Sequence, residues 1–298
     1  MSDQHNRVLD GELAALRRRV VEGVPLDTLW FAVMHGNGNV IMIVDEERSG
    51  LPPAAVTSTL ARELCRSLTT PKIDGVAFVR PSVSPLRMTY FECDGTHAQM
   101  CGNALRCVTR YGVERGYLST EDHVETDDGV KWVSMVDGEP RVALGPGREY
   151  QQVRPDWYFA FSGLPHLVIV VDDPFDFHSI DVRREGAKLA HDERLCRLLN
   201  HPEGLHVDYV YRAEDHVALR TFEVGVEDET QACGTGVAAT GYVAHRAWGV
   251  PFPVRVRTHG GVMTAENGEH GLVISGITGY LFVDEKTPVA TTSSRSVL

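Results

Sequence analysis

The sequence has no long apolar segment, no excess of positive charge and no paired-cysteine motif, and each absence excludes a class of protein. No run approaches the ~20 apolar residues that cross a bilayer, and the N-terminus lacks the basic-then-apolar order of a secretory signal. The net charge is −12 and the basic residues are scattered, which argues against a nucleic-acid partner. We therefore expect a cytoplasmic protein with a small-molecule partner and no membrane contact.

The 6 cysteines form no CxxC pair and no Cys/His cluster with the spacing of a zinc finger. In a reducing compartment we expect free thiols and no metal site. A length of 298 residues with 43% hydrophobic and 23% charged residues is typical of a globular protein with two domains.

The most informative feature of the sequence is an internal duplication. FECDGTHAQMCGNALRC and FEVGVEDETQACGTG share Phe-Glu and Cys-Gly at nearly constant spacing, with one extra residue in the second copy. Thr126 and Thr258 follow Cys101 and Cys233 at the same interval of 25 residues. Further upstream, HGNGNVIMIVD aligns with SGLPHLVIVVD, which places Asn39 opposite His166 and indicates the doubling of one α+β unit.

Each copy has the predicted local order strand, loop, Cys-Gly, helix, then alternating strands. The sequence predicts an α+β fold of two pseudo-symmetric domains, each a curved, mostly antiparallel sheet wrapped around a central helix. The predicted boundaries are an N-terminal helical extension (1–26), a first domain (27–137 plus 279–289), a second domain (138–278) and a tail (290–298).

Cys101 and Cys233 each precede a glycine at a predicted helix start. Unpaired N–H groups and the positive end of the helix dipole stabilise an anion there, which can lower a thiol pKa from ~8.5 toward neutrality. The same groups form a site for a carboxylate. The helix-start residues expected to contact that carboxylate are Gly102, Asn103, Gly234 and Thr235.

Two such helix starts, facing one substrate from the two domains, would suit a racemase. One thiolate removes the α-proton from one face of the carbon while the opposite thiol delivers a proton to the other face. Helix N–H groups would stabilise the charge that develops on the carboxylate, so no metal or other cofactor is expected.

At these residues the sequence resembles the diaminopimelate epimerase family, over approximately residues 28–286. The motifs are MHGNGN (34–39), DGTHAQMCGNALRC (94–107), GLPH (163–166), ETQACGTG (229–236) and THGG (258–261). The resemblance implies an isomerase with Cys101 and Cys233 as its acid/base pair. It also implies Asn39 as a substrate hydrogen-bonder, His166 and Glu223 as neighbours that tune the thiols, and a possible homodimer.

The departures from the family concern the far end of the substrate. The resemblance leads one to expect an arginine where Val224 stands, asparagines at Leu164, His206 and Glu92, and a glutamine at Gly75. Losing the arginine and a polar neighbour removes the contacts that a second carboxylate requires. We therefore predict an amino-acid substrate without a distal carboxylate, with either a basic side chain held by Glu92 or an apolar one packed on Val224 and Leu164.

Other interpretations remain open at this point. The chain could be a diaminopimelate epimerase itself, a proline racemase-like enzyme, a phenazine-type isomerase with a carboxylate base, or a non-catalytic amino-acid-binding protein on the same fold. Glu92 duplicates Glu223 and so could serve the first thiol instead of the substrate. His166 also fits a structural histidine after a turn proline, and Asn39 a turn residue, but with the resemblance we interpret both as site residues.

Overall fold

A computed structural model describes residues 3–284 of the chain, which divide into two compact units. Unit 1 contains the chain up to Gly36, Val40–Val130 and the part from Thr278 onward, and unit 2 contains Asn37–Asn39 and Lys131–Ile277. The predicted tail (290–298) and the last five residues of the predicted first domain lie outside the described residues. No helix among residues 3–284 has the length and apolar character required to cross a membrane.

The elements of unit 1 follow the predicted order of strands around a Cys-Gly helix. In chain order they are α1 (Asp3–Leu16), β1 (Val20–Val21), β2 (Val24–Pro25), β3 (Phe31–Gly36), β4 (Asn39–Asp45), α2 (Ser58–Cys65), β5 (Gly75–Arg80), β6 (Leu86–Glu92), β7 (His97–Ala98), α3 (Gly102–Glu114), β8 (Glu121–Thr126) and, near the C-terminus, β20 (Thr278–Asp284).

A mixed sheet separates two apolar layers in unit 1. β4 and β5 are parallel, β5 and β6 antiparallel, and β6 and β8 parallel. On one face Phe78 and Phe91 pack with Leu64 of α2, and Leu16 at the end of α1 joins the same cluster. Because side chains alternate along a strand, Ala77 and its cross-strand neighbour Tyr90 point to the opposite face, where α3 packs.

Unit 2 has the same succession of elements with additional helices on its outer face. In chain order they are β9 (Gly129–Val136, which starts in unit 1), β10 (Glu139–Gly145), β11 (Arg148–Arg154), β12 (Trp157–Phe161), β13 (Pro165–Val170), α4 (Pro174–Ser179), α5 (Val182–Ala190), α6 (Glu193–Leu198), β14 (His206–Arg212), β15 (Val217–Glu223), β16 (Asp228–Glu229), α7 (Gly234–Trp248), β17 (Val254–Thr258), β18 (Gly261–Gly268) and β19 (Gly271–Gly276).

The strand pairing of unit 1 recurs in unit 2, which confirms the predicted pseudo-symmetric α+β fold. β13 and β14 are parallel, β14 and β15 antiparallel, and β15 and β17 parallel. The outer face carries Phe159, Val207 and Phe222, which pack with α5. The alternate residues face α7, the central helix, which touches strands on all sides of the unit. Each sheet is mixed, with parallel pairs beside the antiparallel ones that the sequence predicted.

The strand register shows that one part of the sequence alignment between the two copies is displaced by two residues. Ile41 lies opposite Gly75 in unit 1, and His166 lies opposite His206 in unit 2. If Glu92 and Glu223 are equivalent, the residue that corresponds to His166 is Ile41, and the alignment of His166 with Asn39 is wrong. A slide of two residues keeps every side chain on the same face of the sheet, which is why the hydrophobic pattern could not detect it.

The close packing of α7 depends on its small residues. A Cβ atom at Gly241 would overlap the Cβ of Ala265 on β18. The helix ends at Gly249, whose φ of 68° is the left-handed conformation that favours glycine at a helix C-terminus.

We expect Gly241→Ala to lower the free energy of unfolding by about 1–3 kcal/mol, because the added methyl group would force α7 away from β18. Urea denaturation measures the change. Gly11→Ala in α1 is the matched control, since nothing lies within 4 Å of a Cβ there and alanine favours a helix by up to about 1 kcal/mol. A Gly241→Ala protein as stable as the wild type would contradict the packing described here.

Candidate active site

Both cysteines singled out in the sequence occupy the N-cap position of a central helix. Cys101 immediately precedes α3 and Cys233 immediately precedes α7, each with an extended backbone (φ −133° and −97°). The side chain of Cys233 accepts a hydrogen bond from the first turn of α7, whereas that of Cys101 makes no capping hydrogen bond to the first turn of α3. The Cys-Gly patterns therefore mark helix starts, as predicted.

The thiol of Cys233 lies at the centre of a buried polar cluster in unit 2. Its sulfur accepts a hydrogen bond from the N–H of Gly236 (3.4 Å) and lies 3.3 Å from the hydroxyl of Thr235. Its third partner is the carboxyl group of Glu223. Cys233 is 4% exposed, so all three partners act in an environment of low dielectric.

The pKa of Cys233 contradicts the expectation of a lowered value. Burial raises it well above its usual value, and the nearby Glu223 and Asp208 raise it further, while Thr235 and Gly236 lower it. The helix terminus thus acts in the predicted direction, but desolvation of the thiolate and two carboxyl groups outweigh it. In this structure Cys233 is a protonated thiol at neutral pH, the form that can donate a proton.

Glu223 is the last residue of β15, on the face that points to α7. It accepts a hydrogen bond from the hydroxyl of Thr230. Burial raises its pKa, whereas Thr230, His166 and the thiol of Cys233 lower it. The sequence singled out Glu223 as a neighbour of the second thiol, and the structure brings the two together.

A carboxylate that the sequence analysis missed holds His166 in place. Nδ1 of His166 lies 2.8 Å from Oδ2 of Asp208, and both side chains are fully buried. Asp208 also accepts a hydrogen bond from the hydroxyl of Thr221 (2.7 Å). The signal for Asp208 was present in HVDYVYR, where a carboxylate interrupts an otherwise apolar strand, because a buried carboxylate requires partners.

The other ring nitrogen of His166, Nε2, is buried and has no hydrogen-bond partner among the described residues. The ring stacks on His206, with centroids 4.9 Å apart and an interplanar angle of 24°. Burial and the neighbouring His166 lower the pKa of His206 to about 3. His206 is therefore neutral at physiological pH and contributes no positive charge to the cluster.

In unit 1 a tyrosine links the cysteine to the duplicated glutamate. The hydroxyl of Tyr90 lies 3.2 Å from Oε2 of Glu92 and is also hydrogen-bonded to Cys101. Tyr90 and Glu92 are two residues apart on β6 and so share the face that packs on α3. Sequence reasoning named Cys101 and Glu92 and missed Tyr90, which looked like one more apolar residue of a buried strand.

The first turn of α3 carries the predicted carboxylate-binding residues Gly102 and Asn103. Both are buried. The amide oxygen of Asn103 accepts a hydrogen bond from the guanidinium group of Arg106 (2.6 Å), a side chain with 0% exposure. Arg106 therefore orients the Asn103 amide from inside the unit. In α7 the equivalent Gly234 and Thr235 are buried as well.

The remaining predicted site residues lie at strand ends. Asn39 begins β4, and its side-chain oxygen is buried without a hydrogen-bond partner in the part of the chain that the structure describes. Leu164 lies in the turn before β13 and is 42% exposed. Val224 follows β15 and packs on Gly204, where a Cβ atom would lie 3.3 Å from its methyl group.

No group of three or more His, Cys, Asp or Glu side chains within residues 3–284 has the arrangement of a metal site. The chemistry that a thiol at a helix start can carry out is proton transfer at sulfur, next to backbone N–H groups that suit an anion.

Comparisons with known proteins agree with this architecture. The family model for diaminopimelate epimerase matches residues 31–149 and 158–279. A diaminopimelate epimerase from Archaeoglobus fulgidus is 32% identical over 277 residues, covering 85% of this chain and 94% of that protein. One from Methanothrix thermoacetophila is 34% identical over 256 residues, covering 79% and 88%. A Bacillus anthracis phenazine biosynthesis protein of the PhzF family has the same fold, with a TM-score of 0.65 and 16% identity over 87% of this chain and 99% of that one.

We expect Glu223→Gln to stabilise the protein at neutral pH. A carboxyl group whose pKa is raised on folding adds stability below its unfolded pKa, near 4.5, and loses it as pH rises through the folded pKa. Glutamine removes this cost and can still accept the Thr230 hydrogen bond. Urea denaturation from pH 4 to pH 8 should show a stability gain that grows with pH.

The exposed Glu193→Gln serves as the control, with a side chain that is 82% exposed. Its effect should be small at every pH, within about 0.5 kcal/mol. A Glu223→Gln protein that is less stable than wild type at pH 8 would mean that the carboxylate is favourably paired, contrary to the raised pKa.

Proposed function

Because the chain belongs to the diaminopimelate epimerase family, we propose that it inverts the α-carbon of an amino acid with Cys101 and Cys233 as its two acid/base groups. Membership of this family makes the chain an isomerase. One observation supports the role of the two cysteines most directly. The pair occupies equivalent N-cap positions of the central helices in two units with the same strand pairing.

The protonation of Cys233 suggests an order of events. Because Cys233 begins as the protonated thiol, Cys101 begins as the thiolate. Cys101 takes the α-proton from one face of the substrate and becomes a thiol. Cys233 then gives its proton to the opposite face of the carbanion and becomes a thiolate. One C–H bond breaks, one forms, and the reverse reaction exchanges the two roles.

The negative charge of the carbanion has to be stabilised. The electron pair left on the α-carbon spreads onto the substrate carboxylate, where the first turns of α3 and α7 offer backbone N–H groups. Dipoles that are fixed before the reaction stabilise this charge without reorganising, which is the largest electrostatic contribution in many enzymes. Asn103, oriented by Arg106, and Thr235 would add side-chain donors.

The substrate that fits best is an amino acid without a distal carboxylate, carrying a basic or an apolar side chain. At the position where the family resemblance leads one to expect an arginine, Val224 offers only methyl groups. His206 is neutral because of its low pKa and cannot form an ion pair with a carboxylate. Glu92 adds a carboxyl group at the end of β6, which suits a cationic side chain better than an anionic one.

The cellular location, the oligomeric state and the partners of the enzyme stay predictions. We expect it in the cytoplasm, with small amino-acid substrates and no nucleic acid, and the family resemblance alone suggests a homodimer.

Solvent deuterium exchange tests the reaction. In heavy water the protein should introduce deuterium at the α-carbon of its substrate while forming the opposite configuration, because each transferred proton exchanges with solvent at sulfur. Mass spectrometry and chiral chromatography over the common L-amino acids would detect both changes. Cys101→Ser and Cys233→Ser should each lower the rate by roughly a hundredfold or more.

Cys196→Ser is the matched control, since Cys196 is buried like Cys233 but belongs to the apolar cluster on the outer face of unit 2. It should retain the wild-type rate. A protein that binds an amino acid without any deuterium incorporation would be a binding protein instead, and the proposal would then be wrong.

Substrate preference has its own test. Wild-type kcat/KM should be higher for basic or apolar amino acids than for diaminopimelate. Val224→Arg should shift the preference toward diaminopimelate by about tenfold or more, since a hydrogen-bonded ion pair contributes about 1.5–3 kcal/mol. Val226→Arg, at a position that is 52% exposed, should leave the preference unchanged.

The activity of the Glu92→Gln variant on basic and on apolar amino acids tests whether Glu92 binds the substrate side chain. Selective loss of activity on basic amino acids would assign Glu92 to the substrate side chain, whereas equal loss on all substrates would assign it to the thiol of Cys101. A wild-type enzyme that prefers diaminopimelate would overturn the proposed specificity and leave the proposed chemistry intact.

A further inference from the structure

Tyr90 has a polar environment that its place in a buried strand does not explain. Its side chain is 2% exposed, and its hydroxyl group is hydrogen-bonded both to Glu92 (3.2 Å to Oε2) and to Cys101. Burial raises its pKa well above the usual value, with Cys101 and Glu92 raising it further, so the hydroxyl keeps its proton at physiological pH. It therefore holds one proton that it donates to Glu92 in the structure, and the sulfur of Cys101 is a second acceptor within reach.

The neighbouring strand is shaped to hold this hydroxyl. Gly75 lies opposite Glu92 in the register of β5 and β6. A Cβ atom at Gly75 would overlap the hydroxyl of Tyr90 and lie 2.6 Å from its Cζ atom. Only a residue without a side chain leaves this space, so the glycine and the tyrosine fit each other.

Unit 2 has a threonine instead of a tyrosine at this position. The residue in the equivalent position is Thr221, which lies opposite Asp208 as Tyr90 lies opposite Ala77. Its hydroxyl bonds to Asp208, and Glu223 contacts the thiol of Cys233 directly. In unit 1 the tyrosine hydroxyl is hydrogen-bonded to both the glutamate and the cysteine, so the two thiols have different neighbours at this position.

We propose that Tyr90 is a positioning residue that donates a hydrogen bond to the sulfur of Cys101 and so stabilises its thiolate, in a space that Gly75 leaves open. The proposal deepens the function proposed above, in which Cys101 removes the α-proton. When Cys101 carries the proton, the hydroxyl accepts from the thiol and donates to Glu92, as it does in the structure. When Cys101 is a thiolate, the single proton of the hydroxyl turns to the sulfur, and Glu92 gives up that hydrogen bond.

Charged and titratable groups reach this pair from its own strand and from α3 and β3. β6 contributes Tyr90 and Glu92, and Cys107 of α3 lies within electrostatic reach of Cys101. Arg106 and Arg110 of α3 act on Cys107 and on His35 of β3, the strand that packs on α3. The facing residue of β5 is Gly75, which cannot ionise. Hydrogen bonding to a charged form favours that form, so removing the donor should shift the thiolate population of Cys101 downward.

The test uses iodoacetamide, which alkylates the thiolate, and mass spectrometry of each cysteine-containing peptide across a pH series on the full-length protein. In Tyr90→Phe the midpoint for Cys101 should move to higher pH by about one unit or more, a tenfold loss of thiolate below the midpoint. Gly75→Ala should shift it in the same direction, because the new methyl group displaces the hydroxyl. The acidic limb of kcat/KM should move with it.

Tyr111→Phe is the matched control, since Tyr111 is a buried tyrosine of unit 1 whose hydroxyl lies 3.4 Å from Asp45. It should leave the Cys101 midpoint unchanged. An unchanged or lower midpoint in folded Tyr90→Phe or Gly75→Ala, checked by circular dichroism, would overturn the proposal. Because alkylation needs no substrate, a protein without racemase activity could still show the shift, so failure of the proposed function and failure of this inference are distinguishable.

Discussion

The candidate chemistry depends on one balance, that between the desolvation of a buried sulfur and the N–H groups at the start of a helix. At Cys233 desolvation is the larger effect, because the side chain is 4% exposed and Glu223 and Asp208 add negative charge nearby. A thiol held in its protonated form is suited to deliver a proton. In the proposed reaction the helix terminus has a second use, which is to bind the carboxylate of the substrate.

The rest of unit 2 supports this balance by satisfying buried polar groups. Asp208 is held by Thr221 and holds His166, and Thr230 holds Glu223. Each partner lowers the cost of placing a polar side chain in the core, and together they fix the side chains around the thiol. Burying the ionised form of Glu223 lowers the free energy of unfolding. Proteins often retain such a loss of stability where a residue serves function.

Duplication produced two similar half-sites that no longer have the same polar contacts. The strand pairing and the N-cap cysteine are shared, because they follow from the backbone of the repeated unit. One neighbour differs, since Tyr90 is hydrogen-bonded to the cysteine in unit 1, whereas Thr221, at the equivalent position of unit 2, bonds to Asp208. Such a difference suits a reaction in which one sulfur begins as an acid and the other as a base.

The duplication, the α+β fold, the starts of both central helices and the two cysteines could be predicted from the sequence, because regular spacing and strand or helix periodicity are local properties. The family resemblance also marked Glu223. The contacts of Tyr90 and Asp208, the two-residue register shift and the raised pKa of Cys233 became visible in the folded chain alone. These depend on which side chains meet across strands and how deeply they are buried, and neither contact nor burial can be read from spacing along one chain.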